Sequence, residues 1–159
     1  MKVDIRKMCR GDKAAVMKIL RATPEFLPAE IPVAEEVIDC YSVDPSGSGY
    51  IILVAPVDGF IAGYICYGPV PLTEGTFDVY WMAVAPQLKG RGIGRAMLTL
   101  VENEIVGEAG RMILIETSSK PNYEKTRGFY QLQGYLVVCQ IPDFYAPGDD
   151  KVVFQKRFR

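Results

Sequence analysis

The sequence predicts a mixed α/β fold: a twisted mixed sheet of about seven strands flanked by about four helices, formed by residues 1–159 as one domain. Three observations predict it. Stretches with apolar residues at helical spacing alternate with short β-branched and aromatic runs. Two of those runs are joined by Asp58-Gly59, a dipeptide that supplies the positive φ of a tight hairpin. A further run leads directly into a glycine-rich turn and then into helical spacing.

The elements follow in order. KVDIRKM (2–8) alternates and reads as a short strand. Asp12 is placed to cap a helix running to about Thr23, with Val16, Ile19 and Leu20 on one face. Pro24 and Pro28 interrupt it. Pro32 falls early in a second helix, which presents Val33, Val37, Cys40 and Tyr41. DPSGSG (44–49) is a flexible loop. YIILVAPV (50–57) and FIAGYICYG (60–68) form the hairpin, and Pro56 predicts that the first of them frays or lies exposed near its end. After PVPLTEG (69–75) comes the strand TFDVYWMAVA (76–85), then the glycine turn and a helix from about Gly92 to Gly107. Ile93, Met97, Leu100, Val101 and Glu104 share a face of that helix. RMILIETSS (111–119) is a fifth strand and 122–133 a fourth helix, stopped by Gly134. YLVVCQI (135–141) and KVVFQKRF (151–158) close the chain as an antiparallel pair.

Composition removes several classes of function. A net charge of −1 gives no general attraction to nucleic acid or to an anionic membrane. No run approaches the roughly 18 apolar residues of a membrane span, and MKVDIRKMCRGD lacks the apolar stretch of a signal peptide. A cytoplasmic protein is expected. Cys9, Cys40, Cys66 and Cys139 are scattered and read as free, buried structural thiols. Histidine is absent, so nucleophile activation by His, most zinc sites and a His base are excluded, and no metal ligand set emerges. Acid–base chemistry falls to Asp, Glu, Tyr, Lys or Cys.

The glycine turn reads APQLKGRGIGRA (85–96), with Gly90, Gly92 and Gly94 among Lys89, Arg91 and Arg95. A turn of this kind at a helix start favours an anion, because the first helical N–H groups lack partners and the helix dipole is positive there. Spacing decides which anion. The dinucleotide pattern G-x-G-x-x-G fails, since its last glycine falls on Arg95 or on Met97, and the P-loop pattern is absent. What stands there is Gln87-x-x-Gly90-x-Gly92-x-Gly94, directly after the strand end AVAP.

This matches the Q/R-x-x-G-x-G/A motif of the GNAT superfamily of acyl-CoA-dependent N-acyltransferases. GFYQLQGY (128–135) resembles the family's FYxxxGF segment, and the element order agrees over nearly the whole chain. The resemblance implies acetyl-CoA as co-substrate, with its pyrophosphate on the backbone of Gly90, Arg91, Gly92, Ile93, Gly94 and Arg95. It places the pantetheine arm along Met82, Ala83 and Val84. It assigns Tyr130, at the FY position, as the acid that protonates the leaving thiolate. Tyr123, Thr126 and Tyr130 share a face at helical spacing and are expected to line the same cleft. Tyr123 stands where many relatives carry an Asn that contacts the CoA arm; here Asn122 lies one residue earlier.

An alkyl ammonium must lose a proton before it attacks an acyl group. Two carboxylates compete to take it. Asp78, six residues before Val84, occupies a position where many relatives carry a catalytic Glu, and its shorter side chain favours action through a water. Glu116 resembles the base of the branch that acetylates N-terminal amines. The acceptor is expected to be a small-molecule or peptide amine. TPEFLPAEIP, PVPLTEG and DFYAPGDD supply aromatics (Phe26, Phe144, Tyr145) and carboxylates (Glu25, Glu30, Glu74, Asp143, Asp149, Asp150) suited to a cation with an apolar body. A homodimer is an assembly the resemblance allows. The departures at Tyr123 and Asp78 leave open a non-catalytic acyl-CoA-binding module of the same fold, and the glycine turn leaves, more weakly, a nucleotide-binding regulator.

Overall fold

A computed structural model of the chain describes residues 2–159. Its strands are β1 (Arg6–Lys7), β2 (Ile51–Val57), β3 (Phe60–Pro69), β4 (Thr76–Val84), β5 (Met112–Ser118), β6 (Leu136–Ala146) and β7 (Asp149–Arg157). Its helices are α1 (Lys13–Ala22), α2 (Glu30–Val43), α3 (Ile93–Gly107) and α4 (Glu124–Leu132). The strands form one seven-stranded sheet in the order β1-β2-β3-β4-β5-β7-β6, with β4 and β5 parallel and the other neighbours antiparallel. No helix among the described residues is long and apolar enough to cross a membrane.

The Asp58-Gly59 turn is as predicted: both residues have positive φ (50° and 81°) and Val57 faces Phe60 across it. Pro56 sits at a register shift between β2 and β3, and the strand runs on past it to a buried Val57 instead of fraying. Two cores lie on opposite faces of the sheet. Beneath α3 and α4, Ile93, Met97, Leu98, Val101 and Tyr130 pack on Leu53, Phe77, Val79, Ile113 and Phe154. Beneath α1 and α2, Val16, Ile19, Leu20, Ala34 and Ile38 pack on Ile52, Val54, Tyr64 and Ala83.

Several expectations are corrected. The first strand shrinks to two residues paired with Val54 and Leu53. Asp12 does not cap α1: its carboxylate turns back, accepting the Cys9 N–H at 2.8 Å and pairing with Arg6 at 2.7 Å. The buried face of α2 is Ala34, Ile38 and Tyr41, while Val33 and Cys40 are exposed. Tyr41 is buried as predicted and Val37 packs partly against the same core, while Ala34 and Ile38 are buried in place of Val33 and Cys40, a small rotation of the face that docking on the sheet selects. The fourth helix begins two residues late, after a 3-10 turn at Pro121–Tyr123. Of the cysteines only Cys66 is buried. Cys139 is exposed because it lies on the outermost strand, β6, every residue of which is exposed.

The feature that opens the site is in β4. Trp81 pairs with Cys66 and Val79 with Tyr67, so Tyr80 is an extra residue bulged out of the ladder. The bulge reverses the alternation of faces. Phe77 and Val79 belong to the core under α3, whereas Trp81 and Ala83 belong to the core under α1 and α2. Pairing with β5 covers only Thr76–Val79 against Met112–Ile115. Beyond the bulge the two parallel strands separate, leaving one edge of Met82, Ala83 and Val84 unpaired.

Candidate active site

The gap between β4 and β5 is a cleft of about 930 Å³. One wall is the end of β4 with the start of α3. Gly90 and Gly92 have φ of 78° and 82°, a region costly for residues with a Cβ, and no heavy atom lies within 4 Å of where a Cβ would stand. The turn is therefore glycine-rich for conformation and leaves open space beside its backbone. The first intrahelical donor of α3 is the Ala96 N–H, to the Gly92 carbonyl at 3.0 Å. This leaves the N–H groups of Ile93, Gly94 and Arg95 without a helical acceptor at the positive end of a fifteen-residue helix.

The opposite wall is the end of β5 with α4. Tyr130 is buried, its ring packed among Phe129 (5.6 Å between centroids), Tyr135 (6.1 Å) and Phe154 (5.7 Å). The residue lines the cleft, and its hydroxyl has no hydrogen-bond partner among the described residues. Burial pushes the phenol up to about 12, so it stays protonated near neutral pH. Thr126 lines the same wall. Tyr123 also lines it, although it sits in the 3-10 turn before α4, and its hydroxyl donates to the Glu25 carbonyl at 2.9 Å.

Asp78 and Glu116 both face the cleft. Asp78 pairs with Leu114 in the parallel register, which puts Glu116 two residues further along on the same face. Asp78 is half-buried and free of ion pairs among the described residues. Burial, then the negative charge of Glu116, raises its carboxyl above the ordinary value, and Lys151 opposes the rise. Glu116 is exposed and paired with Lys151 at 3.0 Å. The segment between α1 and α2 roofs the cleft with Glu25, Phe26 and Leu27, together with Glu30 at the start of α2. Phe26 meets Trp81 edge-on at 5.5 Å.

Every residue predicted for catalysis or cofactor binding lines the cleft except Arg91, whose side chain is exposed outside it. Of the three loops expected to supply acceptor contacts, 23–32 contributes as described and the β6–β7 hairpin contributes Tyr145 and Asp149. PVPLTEG contributes nothing. Thr73 donates to the Val70 carbonyl and closes that loop on itself, and Glu74 is exposed. Phe144, Asp143 and Asp150 also stand outside the lining. Sequence reading missed Trp81, Ser118 and Lys120. Trp81 reaches the roof segment only because of the Tyr80 bulge, for which the sequence carries no signal.

The model of the acetyltransferase (GNAT) family matches residues 14–135. The chain belongs to the GNAT family. A GNAT-family protein from Desulfovibrio desulfuricans, of known crystal structure, is 37% identical; the match covers 98% of this chain and 99% of that one, with a TM-score of 0.94. An uncharacterised N-acetyltransferase from Methanocaldococcus jannaschii is 28% identical over 96% of this chain and 90% of its own. The PaiA N-acetyltransferase from Thermoplasma acidophilum, whose structure holds coenzyme A, shares the fold at 15% identity, with a TM-score of 0.78 and coverage of 99% and 100%. The GNAT fold and an acyltransferase activity thus stand together. The two departures that left a non-catalytic module open, Asp78 and Tyr123, both lie on the cleft of this GNAT protein rather than away from it.

Proposed function

We propose that this GNAT protein transfers the acetyl group of acetyl-CoA to a primary amine by direct attack, with both substrates held in the cleft. The observation that carries the reading is the facing pair of walls: an anion-seeking glycine turn on one, a protonated and unpartnered Tyr130 hydroxyl on the other. The turn at Gly90–Arg95 suits the pyrophosphate, and the unpaired edge of Met82, Ala83 and Val84 suits the amides of the pantetheine arm. Coenzyme A in the T. acidophilum relative supports this assignment.

In the reaction a carboxylate, Asp78 or Glu116, takes a proton from the acceptor ammonium, directly or through a water. The freed amine attacks the acyl carbon, the new C–N bond forms and the C–S bond breaks. Tyr130 gives its proton to the departing thiolate and is refilled by the second proton shed from nitrogen. The products are amide, free thiol and one proton. Holding both substrates in one cleft makes a covalent enzyme intermediate unnecessary. Phe26, Trp81 and Tyr145 with Glu25 and Glu30 suit a cationic amine on an apolar body, from a small molecule or a peptide, while Asp149 is already held by Lys120 and Ser118.

The test begins with calorimetry of acetyl-CoA into protein stripped of bound cofactor. Saturable binding weakened by Arg95→Glu is expected. An amine screen on the same protein, with Tyr130→Phe, Asp78→Asn and Glu116→Gln as controls, then reads transfer. Folded, cofactor-free protein that does not bind acetyl-CoA overturns the proposal.

A further inference from the structure

The two carboxylates offered above as base differ in their surroundings, and β7 makes the difference. The β5–β7 register sets Glu116 opposite Val153 and Ser118 opposite Lys151, so Lys151 shares the face of Glu116 and lies diagonal to it. The Lys151 ammonium stands 3.0 Å from Glu116 Oε1 and 4.2 Å from the centroid of the Phe144 ring, with its side chain only 15% exposed. Phe144 packs edge-on against Tyr145 at 5.0 Å, and Tyr145 lines the cleft. One ammonium thus neutralises Glu116 and anchors the aromatic pair of β6. Asp78 has no such partner among the described residues.

We infer that Lys151 is a positioning residue that divides the work of the two carboxylates, holding Glu116 as a paired anion and leaving Asp78 to take the proton of the acceptor. The inference rests on the acetyl-transfer reading. An acceptor ammonium approaching Glu116 has to displace one already in place, whereas Asp78 offers an uncompensated carboxylate at the same end of the cleft. The groups facing Asp78 are Tyr80 from its own strand, Glu116 from β5 and Lys151 from β7, with Tyr145 of β6 beside Glu116; β3 presents only Gly68 in register. Glu116 and Lys151 act on Asp78 with opposite sign, so each leaves its own signature on the titration.

The experiment compares pH profiles of kcat/KM for the acceptor, at saturating acetyl-CoA, in wild type, Lys151→Met, Lys151→Arg, Glu116→Gln and Asp78→Asn. Asp78→Asn is expected to lose about 10²-fold or more of turnover. Glu116→Gln is expected to lose less turnover than Asp78→Asn and to move the acid limb to lower pH. Lys151→Met moves it to higher pH, and Lys151→Arg returns it to the wild-type position. The Asp78 carboxyl titration, followed by NMR in the unliganded protein, is expected to show the same two displacements without any turnover. A Lys151→Met variant with unmoved limb and unmoved titration overturns the role of Lys151. Loss of activity in Glu116→Gln with retention in Asp78→Asn overturns the division of work. Wild type that binds acetyl-CoA but acetylates no amine overturns the transfer reading and with it the role of Asp78, while the titration still judges Lys151.

Discussion

The hydroxyl of Tyr123 donates to the main-chain carbonyl of Glu25 at 2.9 Å, tying the entrance of α4 to the segment that leaves α1. The same segment is held by Phe26 against Trp81 and, more loosely, by Glu25 Oε1 at 3.7 Å from Lys89 Nζ. The roof of the cleft is therefore fastened to both walls. Tyr123→Phe removes the hydrogen bond and keeps the ring. A stability loss of about 1 kcal/mol is expected, with faster hydrogen exchange in residues 23–30, unchanged protection of α3 and a higher KM for the acceptor. Unchanged exchange in the roof refutes the fastening.

Tyr130→Phe removes a hydroxyl with no hydrogen-bond partner among the described residues, so thermal stability is expected to hold. Turnover is expected to fall about 10²-fold or more, the ordinary yield of a positioned acid. Because burial holds the phenol near 12, its own titration produces no fall in wild-type kcat up to about pH 10. A variant as active as wild type removes Tyr130 from the chemistry.

Asp78 carries a cost in the folded state that shows in pH dependence. Burial and then Glu116 raise its carboxyl above the unfolded value. Below the unfolded value both states are protonated and the residue is neutral to stability. As pH rises between the two values the unfolded chain sheds its proton first, so stability falls, and the deficit persists above the folded value. Asp78→Asn is expected to melt with wild type at acid pH and above it at neutral pH, while losing turnover. Melting curves at the two pH values check the sign.

Gly92 and Gly94 are expected to respond differently to alanine. At Gly92, with φ of 82°, the strain costs about 1–2 kcal/mol, and acetyl-CoA affinity falls as the turn shifts. At Gly94 a Cβ meets Phe129 and Val84 only at ordinary contact distances of 3.5 and 3.7 Å, so stability is expected to hold. Urea unfolding of the two variants, with calorimetry alongside, tests the contrast.

What was readable in the sequence was local. The Asp58-Gly59 hairpin, the glycine turn at a helix start, the buried stripe of α1 and Ile93, Met97 and Val101 of α3 depend on turn conformation and residue spacing, both written along the chain. The rest of the α3 stripe differs, with Leu98 and Ile105 buried and Glu104 exposed. The residues named from the motifs lie on the cleft walls, Arg91 excepted, whereas Trp81, Ser118 and Lys120 on the same walls carried no motif signal.

What needed the tertiary structure was relational. Asp12 had two sets of partners within reach, and the nearness of Arg6 and Cys9 settled which it met. The face of α2 turned on a small rotation, chosen by contact with the sheet. The bulge at Tyr80 and the parting of β4 from β5 arise from pairing three strands at once, and no window of sequence contains them. Lys151 beside Glu116 is the same case: thirty-five positions apart in the chain, they meet because an antiparallel register lays one strand diagonally on another. The sequence by itself determined the kinds of group this protein brings to its cleft. The tertiary structure decided which of them touch, because pairing energy depends on distances that only the closed sheet defines.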